Sequence, residues 1–259
     1  MTVHFVGAGP GAADLITLRA ASLLAAADVV LYPGTYLDAE VLTHCPDARR
    51  VDTQSLDLDQ ITSVMVTAAA EGLEVVRLTS GDPSLYSALA EQTARLDAAG
   101  VPWDVCPGVP AYAAAAAVVG RELTVPLVAQ SVVLTRTQAR STAMPPTESL
   151  AAFAATRATL VLHLAITKTR ELAASLVEEY GADCPVVVVH RASQPDELVL
   201  RGTLADIGDR VEEAGLKQAA VVLVGWALAR VGGESWLYQA DRPRQGLFDG
   251  NASDVGADD

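Results

Sequence analysis

Three times within the first 111 residues a short β-branched or aromatic run breaks on a glycine turn that leads into Ala/Leu-rich chain. Val3-His-Phe-Val6 enters Gly7-Ala-Gly9-Pro10-Gly11, Val75-Val-Arg77-Leu78 enters Ser80-Gly81-Asp82-Pro83, and Trp103-Asp-Val-Cys106 enters Pro107-Gly108-Val-Pro110. Strand, tight turn and helix in repeated succession mark an α/β protein with a parallel sheet. Ligands of such sheets gather at the carboxyl ends of the strands, and glycine lets backbone come close to them.

The spacing of apolar residues fills in the rest. Val29–Tyr32 reads as a further strand, and Ile61, Val64, Met65, Ala68 and Ala69 share one helical face. Leu85, Ala88, Leu89, Gln92 and Leu96 repeat that period. A second series of strands is expected at 131–135, 159–164, 185–190, 198–201 and 220–224, with helices marked by Leu172, Leu176, Val177 and Tyr180 and by Leu204, Ile207 and Val211. The break around Val118–Pro126 predicts two α/β domains, 1–119 and 120–240. Beyond them, 241–259 loses all periodicity and is expected to be a disordered acidic tail.

Composition excludes several classes. The chain has 259 residues, 51% of them hydrophobic, enough for a core without staples. Cys45, Cys106 and Cys184 offer no C-x-x-C pair and read as buried thiols in a reducing compartment. The start of the chain lacks the basic region of a signal peptide and the apolar runs are too short to span a bilayer, so a cytoplasmic protein is expected. A net charge of −14 disfavours nucleic acid. Four histidines without ligand spacing predict no metal, and His163 and His190, at the ends of apolar strands, are expected to be satisfied core residues.

Gly7-Ala-Gly9-Pro10-Gly11-Ala satisfies G-x-G-x-x-G/A, which admits a dinucleotide site and an NAD-dependent oxidoreductase. Two features oppose it. The second strand ends in Pro33-Gly34 instead of the ribose-binding acid, and Pro10 removes a backbone donor from the would-be phosphate cradle. Each glycine turn by itself is also compatible with plain punctuation of the chain.

Taken together, the Gly7–Thr17 loop, Ser80-Gly-Asp-Pro-Ser-Leu-Tyr86 and Pro107-Gly-Val-Pro-Ala111 resemble the three motifs of the tetrapyrrole (corrin/porphyrin) methyltransferase family, over residues 3 to about 229. Arg121–Pro126, Leu134-Thr-Arg136, Pro185–His190, Ala192–Glu197 and Lys217–Leu228 are most similar to the branch that methylates C11 of precorrin-4. The resemblance implies the tetrapyrrole methyltransferase fold, two α/β domains with an active-site trough between them, a homodimer, and S-adenosyl-L-methionine as methyl donor, leaving as S-adenosyl-L-homocysteine. Carried over residue by residue, the cofactor contacts fall on Pro10, Ser80, Gly81, Asp82, Leu85, Pro110, Ala111, Leu164, Ala192 and Ala220; the last three serve equally well as plain core.

The family's uroporphyrinogen III enzymes carry an acid and a base where this chain has Pro33 and Asp52, which argues against C2/C7 activity and leaves the catalytic residues unassigned. Tyr86, Tyr112 and Asp82 are the candidates nearest the motifs for accepting a proton. Other acceptors, including the precorrin C17 and C20 carbons, diphthine or a ribosomal ribose, and a non-catalytic tetrapyrrole carrier remain alternatives. A tetrapyrrole substrate is a polycarboxylate, so a chain of charge −14 must present local cations. Arginine forks suit carboxylates, and Arg136, Arg140 and Arg191 lead, followed by Lys168 and Arg170.

Overall fold

The computed structural model describes residues 1–137, 143–229, 232–233 and 235–238. It contains two five-stranded sheets. The first is wholly parallel, ordered β3-β2-β4-β1-β5, from β1 (Val3–Gly7), β2 (Val29–Tyr32), β3 (Arg49–Asp52), β4 (Val75–Thr79) and β5 (Trp103–Cys106). The second, β6-β7-β10-β8-β9, is mixed. In it β6 (Val132–Arg136) runs parallel to β7 (Thr159–His163), whereas β10 (Ala220–Val224) is antiparallel to β7 and β8 (Pro185–His190), and β9 (Leu198–Thr203) is antiparallel to β8.

The central strands are buried on both faces because helices cover both. Every residue of β4 is buried, with Val76 and Leu78 turned to one core and Val75 to the other. Helix α1 (Leu18–Ala26) belongs to the first of these cores through Ala20 and Leu24, and starts where the Thr17 hydroxyl accepts the Ala20 amide. Helix α2 (Leu58–Ala70) supplies Ile61, Met65 and Ala68 to the second core and opens on a reciprocal capping box of Asp57 and Gln60. Helix α3 (Leu89–Ala98) joins it through Leu96.

Helix α4 (Ala111–Val119) ends on Gly120 in the left-handed conformation. It packs Ala114, Ala115 and Val119 against Val161, Val187 and Leu223 of the second sheet, so the first half of the chain finishes on the core of the second. The opposite face of that sheet is covered by α5 (Leu150–Ala154), α6 (Thr169–Tyr180) and α7 (Ile207–Glu213). All three cysteines are buried thiols, and among the described residues no helix is long and apolar enough to cross a membrane.

Two readings need correction. The helical period taken to begin at Leu85 starts only at Leu89: residues 85–88 form a turn in which Tyr86 and Ala88 take positive φ (53° and 54°), which a helix cannot contain. The edge strand β3 went unread because its residues are mostly exposed and polar and show no apolar alternation. The tail at 241–259 lies outside the described residues.

The ends of β1, β4 and β5 converge without room for a side chain. A Cβ on Gly7 would sit 2.5 Å from the Gly108 nitrogen and 2.7 Å from the Gly81 oxygen. Gly9 and Gly81 exchange backbone hydrogen bonds (3.2 and 2.8 Å), clasping the first two turns together. Gly7→Ala is therefore expected to destabilise the fold by about 1–3 kcal/mol through overpacking, read as a lower urea midpoint; an unchanged midpoint would mean that the strand ends separate freely.

Candidate active site

The carboxyl ends of the parallel strands open into a trough of about 570 Å³, within the usual range of small-molecule sites. All ten residues to which the resemblance assigned cofactor contacts line it. Pro10 comes from the turn after β1, Ser80, Gly81, Asp82 and Leu85 from the turn after β4, and Pro110 and Ala111 from the turn into α4. Leu164, Ala192 and Ala220 come from the second sheet, following β7, following β8 and opening β10. The two halves are also bonded to each other at this end. Ser193 Oγ accepts the Ala12 amide (3.1 Å), and Gln194 Nε2 donates to the Pro10 carbonyl (3.2 Å).

Both halves meet the trough in strained backbone. Tyr86, Leu164, Arg191 and Ala219 all line it with positive φ between 46° and 54°. Non-glycine residues enter that region at a cost of about 1–3 kcal/mol each and collect at functional sites. Leu164 is thereby turned outward, 56% exposed, which a core role would not require.

Asp82 holds the turns in place. Its Oδ2 accepts the Gly108 amide (2.8 Å) and its Oδ1 the Ser84 amide (2.8 Å) and hydroxyl. Partial burial would push its carboxyl up, but the Ser84 hydroxyl and the Gly108 and Ser84 amides together hold it below the usual range. Both oxygens are committed, so Asp82 is a strut between two turns and not a free base. Tyr86 also lines the trough, while Tyr112 does not. Burial, the largest influence, raises the Tyr86 phenol; Arg136 lowers it and Glu148 raises it, and the phenol stays protonated at neutral pH.

His163 departs from its expected role. His190 Nδ1 meets the Gln218 carbonyl at 3.1 Å, but the buried His163 Nε2 has no hydrogen-bond partner among the described residues. The His163 ring packs against Tyr86 (centroids 5.5 Å apart, planes at 54°) on the wall of the trough. Burial pushes its pKa below the ordinary value of about 6.5, so it is neutral at pH 7.

Of the expected cations, Arg191 lines the trough, with Asp196 Oδ1 2.7 Å from its Nε but out of line for a hydrogen bond. Arg136 ends β6 and is not among the lining residues, though its charge reaches Tyr86. Arg140 lies outside the described residues. Arg170 is paired with Asp209 and Glu212, and Lys168 with Glu171. Lys217 and Arg77 line the trough without having been singled out as cations; the signal for Arg77 was a charge inside an otherwise apolar strand.

The family model of the tetrapyrrole (corrin/porphyrin) methylases matches residues 2–208. The chain belongs to that family. It is 54% identical over 246 residues, 94% of this chain and 99% of the other, to a precorrin-4 C(11)-methyltransferase of Rhodococcus erythropolis. Among solved structures, a cobalt precorrin-4 methyltransferase of cobalamin biosynthesis superposes with a TM-score of 0.85 at 37% identity, over 88% of this chain and 96% of that one. A uroporphyrin-III C-methyltransferase from Thermus thermophilus, complexed with S-adenosylhomocysteine, gives 0.75 at 29% identity, over 88% and 94%.

The orphaned imidazole makes a pH prediction for this tetrapyrrole methylase. Because the folded-state pKa of His163 is depressed, the unfolded chain binds the extra proton first, and stability falls as pH drops through about 6.5. In urea titrations at pH 7.5 and 5.5, His163→Gln should lose less stability between the two pH values than the wild type; an equal loss would show that the imidazole titrates normally.

Proposed function

We propose that the protein is an S-adenosylmethionine-dependent methyltransferase of corrin biosynthesis that places a methyl group on C11 of precorrin-4. The observation that carries this reading is the convergence of the three glycine turns with Leu164, Ala192 and Ala220 on one trough, supported by the 54% identity to a precorrin-4 C(11)-methyltransferase over nearly the whole of both chains.

The donor set fits an adenosyl thioether better than a dinucleotide. At the glycine end the lining residues, Pro10, Ser80, Gly81, Asp82, Pro110 and Ala111, include a carboxylate and no cation. A pyrophosphate there would face Asp82 and a proline without an amide, whereas a neutral adenosine needs small residues and backbone contacts. When bound, the sulfonium supplies an already activated methyl. The chain has then to hold the nucleophilic carbon, methyl and sulfur in line, and the walls built from both halves fix that angle. Helix α4 begins beside the trough with no side-chain cap; the Ala113 amide donates to the Pro110 carbonyl (3.0 Å), which leaves the Ala111 and Tyr112 amides for a polar atom of the ligand.

Methyl transfer would break the methyl–sulfur bond as the methyl–carbon bond forms, so the positive charge would pass to the macrocycle and be relieved by loss of a proton to solvent. Neutral His163 adds no opposing charge there, and the ionised carboxyl of Asp82 favours it. We further propose a division into two domains after Val119, and a homodimer, which the exposed side chains of Leu18 (90%) and Leu127 (92%) favour. The greater identity to the precorrin-4 enzyme than to the solved cobalt-precorrin-4 enzyme, 54% against 37%, favours the metal-free substrate.

Incubation with precorrin-4 and ¹³C-methyl S-adenosylmethionine, followed by NMR of the product, should show one new methyl on C11. A label on another carbon, or none, would contradict the assignment. Ala111→Leu, which crowds the α4 end of the trough, should weaken S-adenosylhomocysteine binding by about tenfold or more in calorimetry, equivalent to 1.4 kcal/mol; unaltered affinity would remove Ala111 from the cofactor site.

A further inference from the structure

Arg77 sits in the middle of β4, flanked by Val75, Val76 and Leu78, and is only 8% exposed. A buried guanidinium is normally matched by a carboxylate, because desolvation of an unpaired charge is costly. Arg77 has none within ion-pair distance among the described residues. Its Nε donates to Gln92 Oε1 (3.1 Å), and its Nη1 to Thr53 Oγ1 (3.3 Å) and the Leu78 carbonyl (3.0 Å), all neutral acceptors. Nη2 donates to no described group, yet it is not an orphaned buried atom. The residue lines the trough together with Pro33, Tyr36 and Ser87.

The acceptors are themselves fixed, so the guanidinium is aimed and not adrift. Gln92 donates both amide hydrogens to the Ser87 and Ala88 carbonyls (3.0 and 3.1 Å), and Thr53 donates to the Tyr32 carbonyl (3.0 Å). Uncompensated burial lowers the Arg77 pKa to about 10, so the group remains charged at neutral pH. Three neutral bonds hold it in place and leave its positive charge to be neutralised by a ligand.

We propose that Arg77 is the carboxylate anchor of the trough, receiving one acetate or propionate of the tetrapyrrole on its free guanidinium edge. The proposal rests on the function proposed above and names the contact that this function requires. Arg77 is a substrate-binding residue that tunes affinity and position, and takes no part in bond making.

The test separates anchoring from folding and from the functional reading. Arg77→Met removes the charge at similar length, Arg77→Lys keeps it, and Gln92→Glu leaves the arginine but adds a carboxylate beside its Nε. Uroporphyrin III, a stable tetrapyrrole octacarboxylate, is titrated by fluorescence, S-adenosylhomocysteine by calorimetry, and KM for precorrin-4 is measured alongside. Arg77→Met and Gln92→Glu are expected to weaken uroporphyrin binding and raise KM by about tenfold or more, with S-adenosylhomocysteine affinity unchanged; Arg77→Lys should recover part of the loss. Uroporphyrin affinity within twofold of wild type in either folded variant that still binds S-adenosylhomocysteine overturns the proposal. So does a wild type that binds no uroporphyrin. A wild type that binds uroporphyrin without methylating precorrin-4 overturns the functional reading instead, and the binding series still decides the role of Arg77.

Discussion

The structure depends on backbone-to-backbone contact among three strand ends. Where β1, β4 and β5 finish, Gly7, Gly81 and Gly108 approach so closely that no side chain fits between them. Asp82 then ties the second turn to the third through the Gly108 amide. Strands of a parallel sheet diverge into their crossover helices at this edge; here the glycines hold the turns together instead, and the trough forms over the place where they meet. Gly81, at φ 71°, has nothing nearer than 3.5 Å on its Cβ side, so the backbone at that point is open to a ligand.

The second sheet completes the site by a different device. Three of its strands, β6, β7 and β8, end at one edge, but β10 and β9 run the opposite way, so the site does not rest on a common carboxyl edge alone. Short turns after β7 and β8, and the residue ahead of β10, instead reach the trough with Leu164, Arg191 and Ala219 in left-handed backbone. The Ser193 and Gln194 bonds to the glycine loop brace the turn after β8 against the first sheet. Strain in one half is thereby held by hydrogen bonds to the other.

Legibility in the sequence followed physical cause. Strands such as β4 and β8 could be read because burial on both faces demands a continuous apolar run, and the turns because glycine is required for close approach. All ten cofactor candidates carried over from the family motifs proved to share one cavity. Edge strand β3 escaped because exposure erased its pattern, and the turn at 85–88 because Tyr86 and Ala88 adopt a conformation that their residue types do not advertise. The cations were hardest to choose, because pairing decides the matter: Arg170 is committed to Asp209 and Glu212, while Arg77, set apart in sequence only by its apolar strand, has no carboxylate among the described residues.

Net charge takes on a sharper meaning in this light. A chain of −14 that accepts a polycarboxylate must confine its attraction to a few places, and the trough wall carries Arg77, Arg191 and Lys217. The residues of its glycine turns add a carboxylate, Asp82, and no cation, so the cations of the wall come from elsewhere. The glycine-turn end is thus suited to an adenosyl thioether and not to a pyrophosphate. Calorimetric titration of the wild-type protein with S-adenosylhomocysteine and, separately, with NADH tests it most directly: micromolar binding of the first and none of the second is predicted, and binding of NADH without S-adenosylhomocysteine would contradict it.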